Sequence, residues 1–100
     1  MALEVTGNIV LPSGIAVPSL YGRTEANLVV DGDKVICSPS FYSNKEAYDS
    51  GAPQVELDGF PAYAPYDRTV DGSDILLFSN EFIKTQLEVR GYSVVIVDLN

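Results

Sequence analysis

"DGSDILLFSNEFIKTQLEVRGYSVVIVDL", Asp71 to Leu99, is where the chain changes its hydrophobic period, and its reading decides the fold. At about 100° per residue, Ile75, Leu76, Phe78, Phe82, Ile83, Leu87 and Val89 gather on half a cylinder. Glu81, Lys84 and Glu88 fall opposite, at spacings that let them pair. Only Leu77 is badly placed. Arg90 suits the negative end of a helix and Gly91 its C′ position. The pattern predicts a helix over Ile75–Val89. The competing reading keeps "ILLF", Ile75 to Phe78, as a strand and starts the helix at Ser79. "YSVVIVDL", Tyr92 to Leu99, is β-branched and reads as a strand buried on both faces.

Upstream, the period is two. Leu3, Val5, Ile9 and Leu11 alternate with Glu4, Thr6 and Asn8, which predicts a half-buried strand. "PSG" at Pro12–Gly14 is a turn. A short strand, a kink at Pro18 and a longer strand follow. In the longer one Leu20, Thr24, Ala26 and Leu28 share a face, and Tyr21, Arg23, Glu25 and Asn27 the other. Asp31–Gly32 signals a hairpin with a tight primed turn. The partner strand is "KVICSPSFY", where Pro39 demands an edge, a bulge or the strand's end. Ser43 and Glu46 have capping-box spacing and Gly51 is a stop, so "SNKEAYDSG" predicts one or two helical turns. "QVELDGF" returns to strand alternation through Val55 and Leu57, and "PAYAPYDRT" is extended, with Tyr63 and Tyr66 its large side chains.

The expected architecture is one α+β domain spanning residues 1–100. It has a mainly antiparallel sheet or sandwich, one short helical turn, and one longer C-terminal helix followed by a final strand. A composition of 46% hydrophobic and 20% charged residues supports folding over disorder. No apolar run approaches the length of a membrane span, roughly 20 residues. "MALEVTGNIV" also lacks the basic start of a signal peptide. A soluble, non-exported chain with no membrane partner is expected. A single cysteine excludes an intrachain disulfide, and Cys37 in its apolar strand context reads as a buried small hydrophobe.

Chemistry is sparse. With no histidine, Ser-His-Asp and Cys-His catalysis are impossible. No glycine loop of the phosphate-cradling kind occurs, because "SGIAVPS" lacks both the second glycine and the lysine. A net charge of −8, with six basic residues scattered along the chain, argues against direct nucleic-acid binding. The acidity leaves open a small binding or regulatory module, such as an inhibitor or a DNA mimic. Fourteen acidic residues also allow many carboxylate pairs in space, so a glycosidase-type enzyme is a further reading.

"YDRTVDGSD", Tyr66 to Asp74, superficially resembles a calcium loop. Setting Asp67 first puts Asp71 fifth and Gly72 sixth, as an EF-hand requires, but the closing glutamate position is Phe78. The EF-hand reading fails. An irregular ion site on Asp67, Asp71 and Asp74 competes with a second reading, in which Asp71, Ser73 or Asp74 caps the long helix and Arg68 pairs with a neighbouring aspartate. The second explains more residues. No catalytic, cofactor or metal residue is assigned. The six tyrosines suit core or interface, and Tyr21, Tyr63 and Tyr66 are the interface candidates.

In layout the chain resembles the small structural proteins of tailed-bacteriophage virions. The resemblance lies in "LPSGIAV" and "LYGRTEA" in a strand-rich start, "YSNKEAYDSG" as a short helix, and "YDRTVDGSDILLF" leading to a helix and closing strand. It implies a non-enzymatic subunit of a tail, baseplate, neck or capsid surface. Such a subunit assembles as a homo-oligomer with other virion proteins and needs no cofactor, and no functional residue carries over.

Overall fold

The computed structural model describes residues 1–97. Five strands form one antiparallel sheet: β1 Ala2–Val10, β2 Ala16–Leu28, β3 Lys34–Tyr42, β4 Tyr63–Pro65 and β5 Ser93–Val97, in the order β4-β3-β2-β1-β5. Three helices interrupt them, α1 Lys45–Asp49, α2 Arg68–Asp71 and α3 Ile75–Val89. The fold is α+β and mostly β, a single sheet and not a sandwich.

Strand pairing divides the side chains between two faces. Leu3 lies beside Gly22 and Ile96, Val5 beside Leu20 and Val94, and Gly22 beside Phe41. These residues face α3, which packs chiefly on β2 and also on β5, β3 and β1. The core on this face joins Leu3, Val5, Ile9, Leu20, Val35 and Phe41 to Ile83 and Leu87 of α3. The helix carries the chain across the sheet from the β4 edge to the β5 edge. Its bounds match the periodicity, so "ILLF" is helical.

Proline placement follows from missing donors. Pro18 does not kink β2 into two strands. It lies opposite Gly7 and Asn8, where the β1–β2 register shifts and β1 bulges, with Gly7 at φ 137°. Pro39 sits within β3. Cys37 N–H donates to Ala62 C=O at 3.2 Å and Phe41 C=O accepts from Val55 N–H at 2.7 Å, so this parity of β3 turns its backbone away from β2. Pro39 has the same parity, and its absent N–H therefore falls on the outer side.

Several expectations need correction. The Asp31–Gly32 hairpin is no primed two-residue turn. Val29 N–H donates to Lys34 C=O at 3.1 Å across a longer loop, and only Gly32 there takes positive φ. The α1 N-cap is Asn44, whose side chain accepts from Ala47 N–H at 2.7 Å, one residue after Ser43. "QVELDGF" makes only one isolated bridge, Val55 with Phe41.

β5 is an edge strand with Val95 59% exposed, and is not buried on both faces. The Asp98 and Leu99 part of the predicted strand lies outside the described residues. On α3, Leu76 and Val89 are exposed while Ser79 and Asn80 are fully buried. Each of these side chains makes one hydrogen bond, but the Asn80 Oδ1 is buried without a partner. Ser79 Oγ accepts from Cys37 Sγ at 3.3 Å, and Asn80 Nδ2 donates to Leu76 C=O at 2.8 Å. The helix ends as expected. Gly91 N–H donates to Glu88 C=O and Tyr92 N–H to Leu87 C=O, a Schellman pair with Gly91 at φ 93°.

Candidate functional site

The acidic loop is assembled from caps. Asp67 precedes α2 in extended conformation, and its Oδ1 accepts from Thr69 N–H at 2.9 Å and Thr69 Oγ1–H at 2.7 Å. Asp71 Oδ2 accepts in return from Asp67 N–H at 2.8 Å. Asp74 caps α3 by accepting from Leu77 N–H at 3.0 Å. The Tyr66 hydroxyl donates to the Gly72 carbonyl and ties down the turn between the two helices. Each carboxylate thus answers free N–H groups at a helix start, where negative charge is also favoured.

The Thr69 hydroxyl, then its N–H, hold the Asp67 carboxyl below its ordinary pKa. Among the described residues no group of three or more ionisable ligands is placed to hold a metal. Arg68 makes no ion pair among them; the ion pairs there are Lys45–Asp49 at 2.6 Å and Lys84–Glu88 at 3.9 Å.

The three candidate tyrosines separate. Tyr66 is 6% exposed and meets Phe78 edge-on, with centroids 5.1 Å apart. Tyr21 is 4% exposed, on the sheet face away from α3, in a cluster with Tyr48 and Tyr42. Arg23 lies over the Tyr48 ring at 4.8 Å and donates to Tyr21 Oη at 3.4 Å, the bond that chiefly raises its pKa. Tyr63 alone of the three is half exposed, with Lys34 Nζ 5.0 Å from its ring centre. Tyr21 and Tyr66 therefore serve this chain's own packing.

Tyr48 is one of the six tyrosines that the sequence offers for core or interface, but it is not among the three interface candidates. Its position four residues after Asn44 in a short helix, together with Tyr42 before it, is the signal that could have found the cluster. The pairing with Arg23 depends on a strand contact that the sequence does not display.

That same sheet face, which we call the open face, holds a cleft of about 440 Å³. Its floor includes Glu4, Thr6, Ser19 and Tyr21, and Ser43 to Glu46 at the start of α1 form its wall. Glu4 and Glu46 both line it and both are exposed to solvent. The serines in the cleft have no histidine to activate them. The arrangement can hydrogen-bond a polar group.

Cys37 is buried at 3% exposure, and burial raises its thiol pKa against the opposing hydrogen bond to Ser79. Such a thiol is a packing group.

Compared with models of protein families, with curated proteins and with solved structures, the chain matches none.

Proposed function

We propose that this protein is a non-enzymatic structural subunit of a tailed-phage particle, in the tail, baseplate, neck or capsid surface. It works through contacts with copies of itself and with other virion proteins. The observation that carries the reading is the one-sided sheet. α3 covers one face, while the open face leaves Ile36 at 41%, Tyr63 at 51% and Val95 at 59% exposure across three strands. Aromatic and aliphatic residues on a rigid sheet suit protein contacts, and their scatter among polar neighbours suits contacts made on assembly. The net charge of −8 keeps such a subunit off packaged nucleic acid. No helix among the described residues is long and apolar enough to cross a membrane.

Mass spectrometry of purified particles tests the reading, since a virion subunit must be recovered with them. The second reading, a small acidic inhibitor or DNA mimic, is favoured by one observation: few of the fourteen acids are paired among the described residues. It requires a tight, salt-sensitive complex with a DNA-binding enzyme, and flat titrations against such enzymes would remove it.

A further inference from the structure

Three Asp-Gly pairs, Asp31–Gly32, Asp58–Gly59 and Asp71–Gly72, share one latent reaction. The glycine nitrogen can attack the aspartate side-chain carboxyl, since glycine has no side chain to hinder the approach. All three aspartates are exposed, so exposure does not tell them apart. Hydrogen bonding does. Gly32 N–H donates to Val29 C=O at 2.9 Å within the β2–β3 loop. Gly72 N–H donates to Arg68 C=O at 3.1 Å at the end of α2, and Asp71 Oδ2 accepts from Asp67 N–H at 2.8 Å. Among the described residues, Gly59 N–H has no acceptor and the Asp58 carboxylate has no donor.

The backbone around Asp58 is also loosely tied. Val55 N–H donates to Phe41 C=O at 2.7 Å and Cys37 N–H to Ala62 C=O at 3.2 Å. Between these anchors, residues 56–61 make no backbone hydrogen bond among the described residues. A stretch without such bonds opens at low cost in free energy and so samples reactive geometries often. The fold itself selects the glycine. Gly59 sits at φ 85°, and a Cβ there would stand 2.8 Å from Arg90 Nη2.

We infer that Asp58 is the residue at which this protein converts spontaneously to isoaspartate. Gly59 N attacks Asp58 Cγ and forms a new C–N bond. The proton of that nitrogen and the hydroxyl of the protonated carboxyl leave together as water, giving a cyclic imide. Water then adds back. Cleavage of the new bond restores aspartate. Cleavage of the original bond, between Gly59 N and the Asp58 main-chain carbonyl carbon, leaves the chain running through Cβ and Cγ, with the α-carboxylate as a side group. The water lost is the water regained, so the product is an isomer, and no oxidant, reductant or co-reactant is consumed.

The product adds one atom to the backbone of a segment anchored at Val55 and Ala62. Phe60, two residues further on, stacks on Phe41 with centroids 5.6 Å apart and has Arg90 4.3 Å from its ring centre. Lengthening the chain just before Phe60 moves its ring off Phe41, one of the fully packed side chains of the core. Isoaspartate at position 58 therefore loosens that end of the core. This chemistry holds whether or not the protein is a virion subunit.

Incubation of the full chain for weeks at physiological temperature and pH, then proteolysis and electron-transfer fragmentation, locates isoaspartate residue by residue. It should accumulate fastest at Asp58. One net hydrogen bond corresponds to about a fivefold difference in rate. Asp58 should lead Asp31 by about that factor, and should lead Asp71, whose carboxylate is also engaged, by more. In guanidinium chloride all three pairs keep their glycine and lose the fold, so the lead should largely vanish. The isolated chain with isoaspartate at position 58 should unfold at lower urea concentration than its parent. Asp31 or Asp71 reacting as fast as Asp58 in the native chain, or a lead unchanged in guanidinium chloride, overturns the inference. A modified chain as stable as its parent overturns the link to Phe60.

Discussion

Replacing Gly22 with alanine sets two effects of known size against each other. Gly22 lies in β2 opposite Leu3 on one side and Phe41 on the other. A Cβ built there would stand 3.0 and 3.2 Å from two Phe41 ring carbons and 3.4 Å from Leu3 Cβ. Ordinary contacts are several tenths of an ångström longer, so the ring must move. It has little freedom: Phe41 is 2% exposed and stacks on Phe60, whose ring is in turn covered by Arg90 at 4.3 Å. Forcing a methyl into such packing costs about 1–3 kcal/mol. The favourable term is the unfolded-chain entropy that alanine removes, about 0.4–1 kcal/mol.

Overpacking wins. Gly22→Ala should destabilise the fold by about 1–2 kcal/mol, which for a chain of this size lowers Tm by about 4–16 °C. Thermal and urea unfolding measure it. Phe41→Leu shortens the obstructing ring, so the double variant should lose less than the sum of the single losses, by about 0.5 kcal/mol or more. A Gly22→Ala protein as stable as wild type, or strict additivity in the double variant, would refute the packing argument.

Three further outcomes follow from the same geometry. Asp74→Ala removes the bond to Leu77 N–H at the start of α3 and should cost about 1 kcal/mol in urea unfolding, with Asp74→Ser restoring most of it. Asp67 has a lowered folded-state pKa, so its contribution is present above the unfolded-state value and lost as pH falls through the folded one. Carboxyl NMR should show Asp67 titrating below its ordinary range, moving back toward it in Thr69→Val, which removes the hydroxyl donor. Cys37 should stay inert to thiol reagents in the native protein and react fully once urea unfolds it; native reactivity as fast as that of the unfolded chain would contradict its burial.

The sequence is most legible where one physical signal acts alone. Ile75–Val89 is a helix because its apolar residues keep the helical period and its ends carry Asp74 and Gly91, local features that need no partner. β1, β2 and β3 likewise show their alternation. Reading fails where the outcome depends on what lies across the contact. Leu76 and Val89 are apolar enough for the core, yet the buried residues of α3 are Ser79, Asn80, Ile83 and Leu87, with Ser79 against Cys37 of β3. β5 looks doubly buried because Val and Ile dominate it, while only its place at the sheet edge decides that Val95 is exposed. Asn44 displaces Ser43 as a cap because β3 runs to Tyr42 before the chain turns. For the candidate site, the cap at Asp74 is visible as a residue type, whereas Asp67 is read from sequence only as a possible ion ligand and caps a helix that the sequence does not display. α2, and the Tyr21–Tyr48–Arg23 cluster, require the three-dimensional pairing.

Whether the protein is a virion subunit is tested most directly by quantitative mass spectrometry of purified tailed-phage particles from the genome that encodes it. The chain should be recovered with the particles, in a fixed ratio to the known structural proteins that survives repeated density-gradient purification. Loss of the chain during purification, with the other structural proteins retained, would contradict the proposed role.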